Sequence, residues 1–309
     1  MGDISIVREI GEDNMLSEID SFISYLQEIK GSSQNTVVSY RRDLVQMAAF
    51  LEAQGIFTPA KVTKTSLNSY ILYLEKQGKA TTTISRVLAS IKSFFQYELN
   101  EGQIRRDPAV LLKTPKIEKK PPVILTIDEV NRLLSQPTDD SPKEIRDRAM
   151  LELLYATGIR VSELIGLKQT DVNIPVGFIT CHDSNRERMI PFGKTAREAL
   201  VQYLEHARDL LLKGKASELL FTNCNGESMS RQGFWKIVKH YGERAGIDSD
   251  ITPHSLRHSF AAHLIGGGAD IQAVQTMLGH ADMATTQMYV SYAQKEPIRR
   301  VYAGAHPRK

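Results

Sequence analysis

The 309-residue chain contains only two cysteines, Cys181 and Cys224, far apart in sequence. That excludes a disulfide framework and leads one to expect a reducing, cytoplasmic setting. Neither cysteine belongs to a Cys-x-x-Cys pair, so the common zinc-site spacing is missing as well. No apolar run approaches the roughly 18–20 residues that a membrane span needs. The opening Met1-Gly2-Asp3-Ile4-Ser5 shows no basic segment ahead of an apolar core, and no secretory signal is expected. A Gly-x-x-x-x-Gly-Lys-Ser/Thr loop is lacking, which disfavours an ATPase. Internal repeats and low-complexity tracts are absent too. Charge of one sign does not dominate: 39 Lys and Arg stand against 36 Asp and Glu, a formal net charge of +3. So mild a basicity says little about partners; where the charge is placed says more.

Hydrophobic residues at 41% and charged residues at 24% describe an ordinary globular balance, and the length suits two domains. Up to Asn100, apolar residues recur at helical spacing: Leu16, Ile19, Phe22, Ile23 and Leu26, then Val37, Tyr40, Leu44, Met47 and Phe50. Thr63, Leu67, Tyr70, Ile71 and Leu74 continue the pattern, followed by Ile84, Val87, Leu88, Ile91, Phe94 and Phe95. Four helices with short connections predict a small bundle over 11–100. Residues 101–121 read as a linker. They hold Arg105, Arg106, Lys113, Lys116, Lys119 and Lys120, and prolines at 115, 121 and 122 forbid a continuous helix nearby. Such a stretch is either a solvated strap or a phosphate-neutralising one. A second domain over 122–304 opens with a capping box, Thr126-Ile-Asp-Glu129. It continues with helices interrupted by two short strands, Phe178–Cys181 and Arg188–Pro191, around the polar turn Asp183-Ser-Asn185. The fold class expected is mainly α with a small β-sheet.

Four short segments of this second domain hold the informative polar residues. In Ala156-Thr-Gly-Ile-Arg-Val-Ser-Glu-Leu164, Arg160 follows a glycine turn and opens a helix; a lone arginine in such a place is usually a surface cation. In His254-Ser-Leu-Arg-His258, His254 and Arg257 share one helical face. Met277-Leu-Gly-His280 ends a helix at its glycine, with His280 just beyond. Thr285-Thr-Gln-Met-Tyr289 carries a tyrosine that by itself suggests only a half-buried core residue. His254, His258 and His263 invite comparison with a zinc site, but Ser255 stands where the His-Glu-x-x-His pattern requires glutamate. No metal is expected.

The order and spacing of these segments, with Tyr289 nine positions beyond His280, resemble the tyrosine recombinases over nearly the whole chain. His-Ser-Leu-Arg-His-Ser-Phe-Ala, Thr-Thr-Gln-Met-Tyr and the closing His306-Pro-Arg308 resemble the Xer-type branch. The resemblance implies an N-terminal helical core-binding domain and a C-terminal α+β catalytic domain that together clamp double-stranded DNA. It also implies a cleavage-and-rejoining reaction through a 3′-phosphotyrosine, without cofactor. Tyr289 would be the nucleophile, Arg160 and Arg257 would hold the phosphate, and His254 and His280 would supply hydrogen bonds or proton transfer. The setting implied is chromosome dimer resolution at dif-like sites during chromosome partition and cell division. Partners would be paired DNA half-sites, a homo- or hetero-tetramer with a second Xer-type recombinase, and a septal DNA translocase, with no membrane association. The other roles open to such a chain are integration of a mobile element and, less in keeping with its tail and compact first domain, type IB topoisomerase chemistry.

One position departs from the family. Its members carry a lysine in the turn between the two strands, where it protonates the leaving 5′-oxygen. Here Asp183 occupies that position, with His182 and Arg186 beside it. An aspartate at neutral pH brings neither the charge nor the proton. His182 has a suitable ordinary pKa, Arg186 only a charge. A chain so altered is either an active enzyme with another acid or a weakened DNA-binding partner. After Tyr289, Glu296-Pro-Ile-Arg-Arg-Val-Tyr-Ala303 reads as a short amphipathic helix with Ile298, Val301 and Tyr302 on one face, of the kind that family members dock on a neighbour.

Overall fold

A computed structural model describes residues 14–117, 121–183, 186–279 and 285–290, with the backbone alone at 183 and 186. His280, the turn residues 184 and 185, the side chains of Asp183 and Arg186, and the segment with Ile298, Val301 and Tyr302 lie outside the described residues. The chain divides into two compact units, 1–120 and 121–309. Among the described residues no helix is long and apolar enough to cross a membrane.

The first unit is built from α1 (Met15–Glu28), α2 (Gln34–Glu52), α3 (Lys64–Lys76) and α4 (Thr81–Asn100). Asn14, Ser33 and Thr63 cap the first three helices by accepting from backbone amides that a helix start leaves unpaired. The apolar stripes meet in one core, where Ile19, Phe22, Leu44, Met47, Leu67, Ile91, Phe94 and Phe95 are fully buried. On α1 the stripe starts one residue earlier than its spacing suggests: Met15 is buried and Leu16 is exposed. Phe22 and Phe94 meet edge to face at 5.6 Å, a favoured ring geometry.

The second unit runs α5 (Ile127–Leu134), α6 (Pro142–Thr157), α7 (Val161–Gly166), β1 (Val172–Asn173), β2 (Phe178–Asp183), β3 (Arg186–Pro191), α8 (Lys194–His206), α9 (Arg208–Leu212), α10 (Arg231–Arg244), α11 (Pro253–Gly266), α12 (Ile271–Leu278) and α13 (285–290). The capping box of Thr126 and Glu129 is formed. Three strands make an antiparallel sheet in the order β1-β2-β3, one strand more than the sequence suggests. Its two-residue first strand is too short for an alternation to be seen. The register sets Cys181 opposite Arg188 and His182 opposite Glu187. Because side chains alternate, Ile179, Cys181, Arg188 and Ile190 share the buried face, whereas His182, Glu187 and Met189 are exposed.

α6 is the axis of this unit, with six consecutive residues, Ala149–Leu154, all buried. A buried ion pair anchors it: Arg146 donates to Asp147 at 2.6 Å and to the Thr222 carbonyl at 3.1 Å, and the Tyr241 hydroxyl donates to Asp147 at 3.1 Å. Charges this deep persist only when their hydrogen bonds are supplied. Ser259 on α11 accepts from the Leu125 amide at 2.8 Å, tying α11 to the segment that leads into α5. The polar residues of interest stand at the C-terminal ends of α6 and α12 and near the start of α11.

Candidate active site

α6 ends at Gly158, in the left-handed conformation (φ +60°), and its amide donates to the Leu154 carbonyl. A Cβ there would fall 2.2 Å from the Phe260 ring, so the position admits only glycine. The turn delivers Arg160 to the start of α7. Glu163, three residues on, accepts from the Arg160 amide through Oε2 (2.6 Å) and from its guanidinium through Oε1 (3.1 Å). The other end of the Arg160 fork donates to the Gly279 carbonyl at 2.7 Å. Arg257, on α11, is 5% exposed and donates to the carbonyls of Gly158 (2.5 Å) and Leu278 (2.6 Å). Unsatisfied carbonyls at the ends of α6 and α12 therefore orient both guanidiniums. Burial, then the neighbouring Arg160 charge, pushes the Arg257 pKa down to about 10, and the group is still protonated at neutral pH.

Tyr289 lies on α13, 1% exposed, in a small apolar cluster with Phe260, Ala261, Val274 and Leu278. Its hydroxyl is hydrogen-bonded to His258 Nδ1 at 2.6 Å. Burial, and then the positive charges of His254 and Arg257, hold the His258 pKa down at about 4. The ring is therefore neutral at pH 7, and Tyr289 is the donor to an accepting Nδ1. Burial raises the Tyr289 pKa, and the Arg257 charge opposes that rise. His254 stands in the first turn of α11. The residue as a whole is exposed, but its ring is partly enclosed, and that enclosure together with the Arg257 charge lowers its pKa. The histidines have separate partners: His258 meets Tyr289, and His263 meets the Tyr155 hydroxyl at 2.9 Å.

Beside Arg160 opens a cleft of about 490 Å³ lined by Arg160, Ser162, Glu163, Asp171, Cys181 and His182. Both ring nitrogens of His182 face carboxylates, Glu187 at 3.0 Å and Asp171 at 3.3 Å. Arg188, on the buried face of the sheet, donates to Glu163 Oε1 at 2.5 Å. That carboxylate oxygen therefore serves Arg160 and Arg188 at once.

Comparison with known proteins agrees with this layout. Residues 124–296 match the phage integrase family, and residues 19–102 match the phage integrase N-terminal SAM-like domain. The chain belongs to the phage integrase family. Tyrosine recombinase XerD of Staphylococcus epidermidis is 44% identical over 291 residues, 94% of this chain and 98% of that protein. Its counterpart in Halalkalibacterium halodurans is also 44% identical, over 294 residues with the same coverage. In fold, the chain is similar to XerH site-specific recombinase bound to a palindromic difH substrate in a post-cleavage complex. The TM-score is 0.70 at 20% identity, over 94% of this chain and 96% of that one. Tyrosine recombinases cleave and rejoin DNA through a tyrosine nucleophile, and this integrase-family chain is one of them.

Of the residues singled out by pattern, all in this second unit, Arg160 and Arg257 meet the ends of α6 and α12, Tyr289 packs in the cluster with Leu278, and His254 stands one turn before His258 on α11. Asp183 closes β2 opposite Arg186, the first residue of β3. Pattern reading passed over three residues. Glu163 was legible in principle, since an acid three positions after a helix-opening residue is a capping signature. His258 appeared only as a zinc candidate. Arg188 carried no signal, because nothing in a charged strand says which cation turns inward.

Proposed function

We propose that this integrase-family chain is a site-specific recombinase on double-stranded DNA with Tyr289 as its nucleophile. The Tyr289 hydroxyl attacks phosphorus, the 5′-oxygen leaves, and a 3′-phosphotyrosine keeps the ester energy for rejoining. Arg160 and Arg257 bind the non-bridging oxygens, where charge concentrates in the transition state. Planar, permanently charged forks suit that task, and each is worth roughly 3–4 kcal/mol as a preorganised donor. The carbonyls that now receive their N–H groups hold the forks in place ahead of the phosphate. His254 and His280 add hydrogen bonds or proton transfer, and His258 orients the nucleophile. The observation that carries this reading is the convergence of Arg160 and Arg257 on the carbonyls of 158, 278 and 279, with Tyr289 packed against Leu278 of the same helix end.

The similarity to XerD proteins supports chromosome dimer resolution at dif-like sites as the setting. The partners would be paired half-sites, further recombinase subunits in a tetramer and a septal DNA translocase, in the cytoplasm. Asp183 at the lysine position favours a second reading, a partner that holds one half-site while another subunit cuts. A nicked, dif-like suicide duplex separates the two. A covalent protein–DNA adduct with the wild-type chain, lost in Tyr289→Phe while DNA binding persists, supports the enzyme. Adduct in the Phe variant refutes Tyr289, and no adduct with either chain leaves only the binding role.

A further inference from the structure

Arg188 is 8% exposed, unusual burial for a guanidinium, and it meets the cleft beside Arg160 through Glu163. Among the described residues, Nη2 donates to Glu163 Oε1, whereas Nε and Nη1 are enclosed with no oxygen or nitrogen acceptor, the Cys181 thiol across the strand pair being their sulfur neighbour. Two enclosed guanidinium nitrogens, carrying three N–H groups between them, cost free energy when they lack a strong acceptor, of the order of 1–3 kcal/mol each or more for a charged group. A residue kept at such a cost invites the question of what its charge does. So little of it is exposed, on the buried face of the sheet, that it is not placed to touch a DNA phosphate. Its fork lies directly on Gly279: a Cβ there would sit 1.6 Å from Nη1. The carbonyl of that same residue receives Arg160.

Glu163 explains the arrangement. By holding the amide and the guanidinium of Arg160 it fixes that side chain where a phosphate is to bind. The same carboxylate, acting alone, would cancel the charge that the phosphate needs. Arg188 takes up the shared Oε1 from the other side. Arg160, Arg188 and Arg257 against Glu163 leave two net positive charges, where the cluster without Arg188 would leave one. The three guanidiniums sense one another, since Arg160 and Arg188 both depress the Arg257 pKa. At short range in a poorly solvated site such a charge is felt far more than in water.

We infer that Arg188 is a positioning residue of the phosphate site: it neutralises Glu163, so that Glu163 orients Arg160 without quenching it. The inference rests on the recombinase reading above and assigns Arg188 no contact with DNA. Because Asp183 replaces the usual acid, a chain of this kind relies the more on its cations to stabilise the departing charge.

The test uses the full chain and a suicide duplex with a bridging 5′-sulfur at the scissile position, so that leaving-group protonation does not limit the rate. R188M should slow adduct formation about a hundredfold, as for loss of a preorganised charge, with half-site binding little changed. R188K keeps the charge and should fall between R188M and wild type. The deciding measurement is the cycle with E163Q. With no carboxylate left to neutralise, R188M/E163Q should react faster than R188M, recovering about tenfold or more. A purely structural arginine predicts the opposite, a double variant as slow as R188M or slower, and that result overturns the inference. So does a normal rate in R188M, or R188K as slow as R188M. If R188M does not fold by thermal melting, R188Q carries the same comparison with a neutral polar group. Absence of adduct in the wild-type chain on this substrate refutes the recombinase reading itself, and the inference with it.

Discussion

Acidification should destabilise the C-terminal unit through His258 in particular. The folded unit holds this imidazole at a pKa of about 4 against an ordinary 6.5, because burial and nearby positive charge oppose a proton on the ring. Above 6.5 the residue is neutral in both states and costs nothing. As the pH falls below 6.5 the unfolded chain takes up a proton that the folded unit refuses, so stability drops until the folded ring also protonates near 4. Integrated from pH 7 to pH 5, the difference is about 2 kcal/mol. At the low-pH limit, Nδ1 becomes a donor and the bond from Tyr289 is lost as well. The chain has one tryptophan, Trp235 on α10, so its fluorescence reports urea unfolding of this unit without interference from the first. With a urea slope of about 2 kcal/mol/M, the His258 share of the wild-type midpoint shift between pH 7 and pH 5 should be about 1 M downward. In His258→Asn the amide oxygen can still accept from Tyr289 but nothing titrates, and the His258 share of that shift should vanish. His254 also has a lowered pKa, and the buried Asp147 and Glu152 have raised ones; all three remain in both proteins and cancel in the difference. Equal midpoint shifts in wild type and His258→Asn would refute the assigned hydrogen bond and its electrostatics.

Arg257→Lys keeps a charge but cannot span the carbonyls of Gly158 and Leu278 together, so adduct formation should fall by about a hundredfold; a near-normal rate would remove the two-pronged role. Asp183→Lys should speed cleavage of ordinary DNA and barely change cleavage of the 5′-thio duplex. General-acid help, typically about 10²–10⁴-fold, matters most for a basic leaving group, and equal acceleration of both substrates would show that the lysine acts by charge instead. Gly158→Ala combines a strained left-handed backbone with a clash against Phe260. It should cost about 2–5 kcal/mol by Trp235-monitored unfolding, and a loss under about 1 kcal/mol would mean the turn relaxes freely.

The features that the sequence determined by itself are local. Thr126 with Glu129 is a cap because the two are three residues apart, and Gly158 and Gly279 end helices because their left-handed backbones suit glycine. The same short-range logic placed Arg160 at a helix start, paired His254 with Arg257 on one face, and marked the four stripes that fold into the first unit. Tertiary structure decided which of these ends meet. Arg160 finds the Gly279 carbonyl 119 residues away, Arg257 the Gly158 carbonyl 99 away, and Tyr289 a histidine 31 residues before it. No periodicity carries such distances; they depend on how α6, α11 and α12 pack on one another. The sheet makes the point most sharply. Arg186, Glu187 and Arg188 are consecutive charged residues, and a shift of one position in strand register would turn a different one of them toward the core. The pairing of Cys181 with Arg188 sends Arg188 inward to Glu163, and that choice was made by the packing of the sheet against α7 and the end of α12.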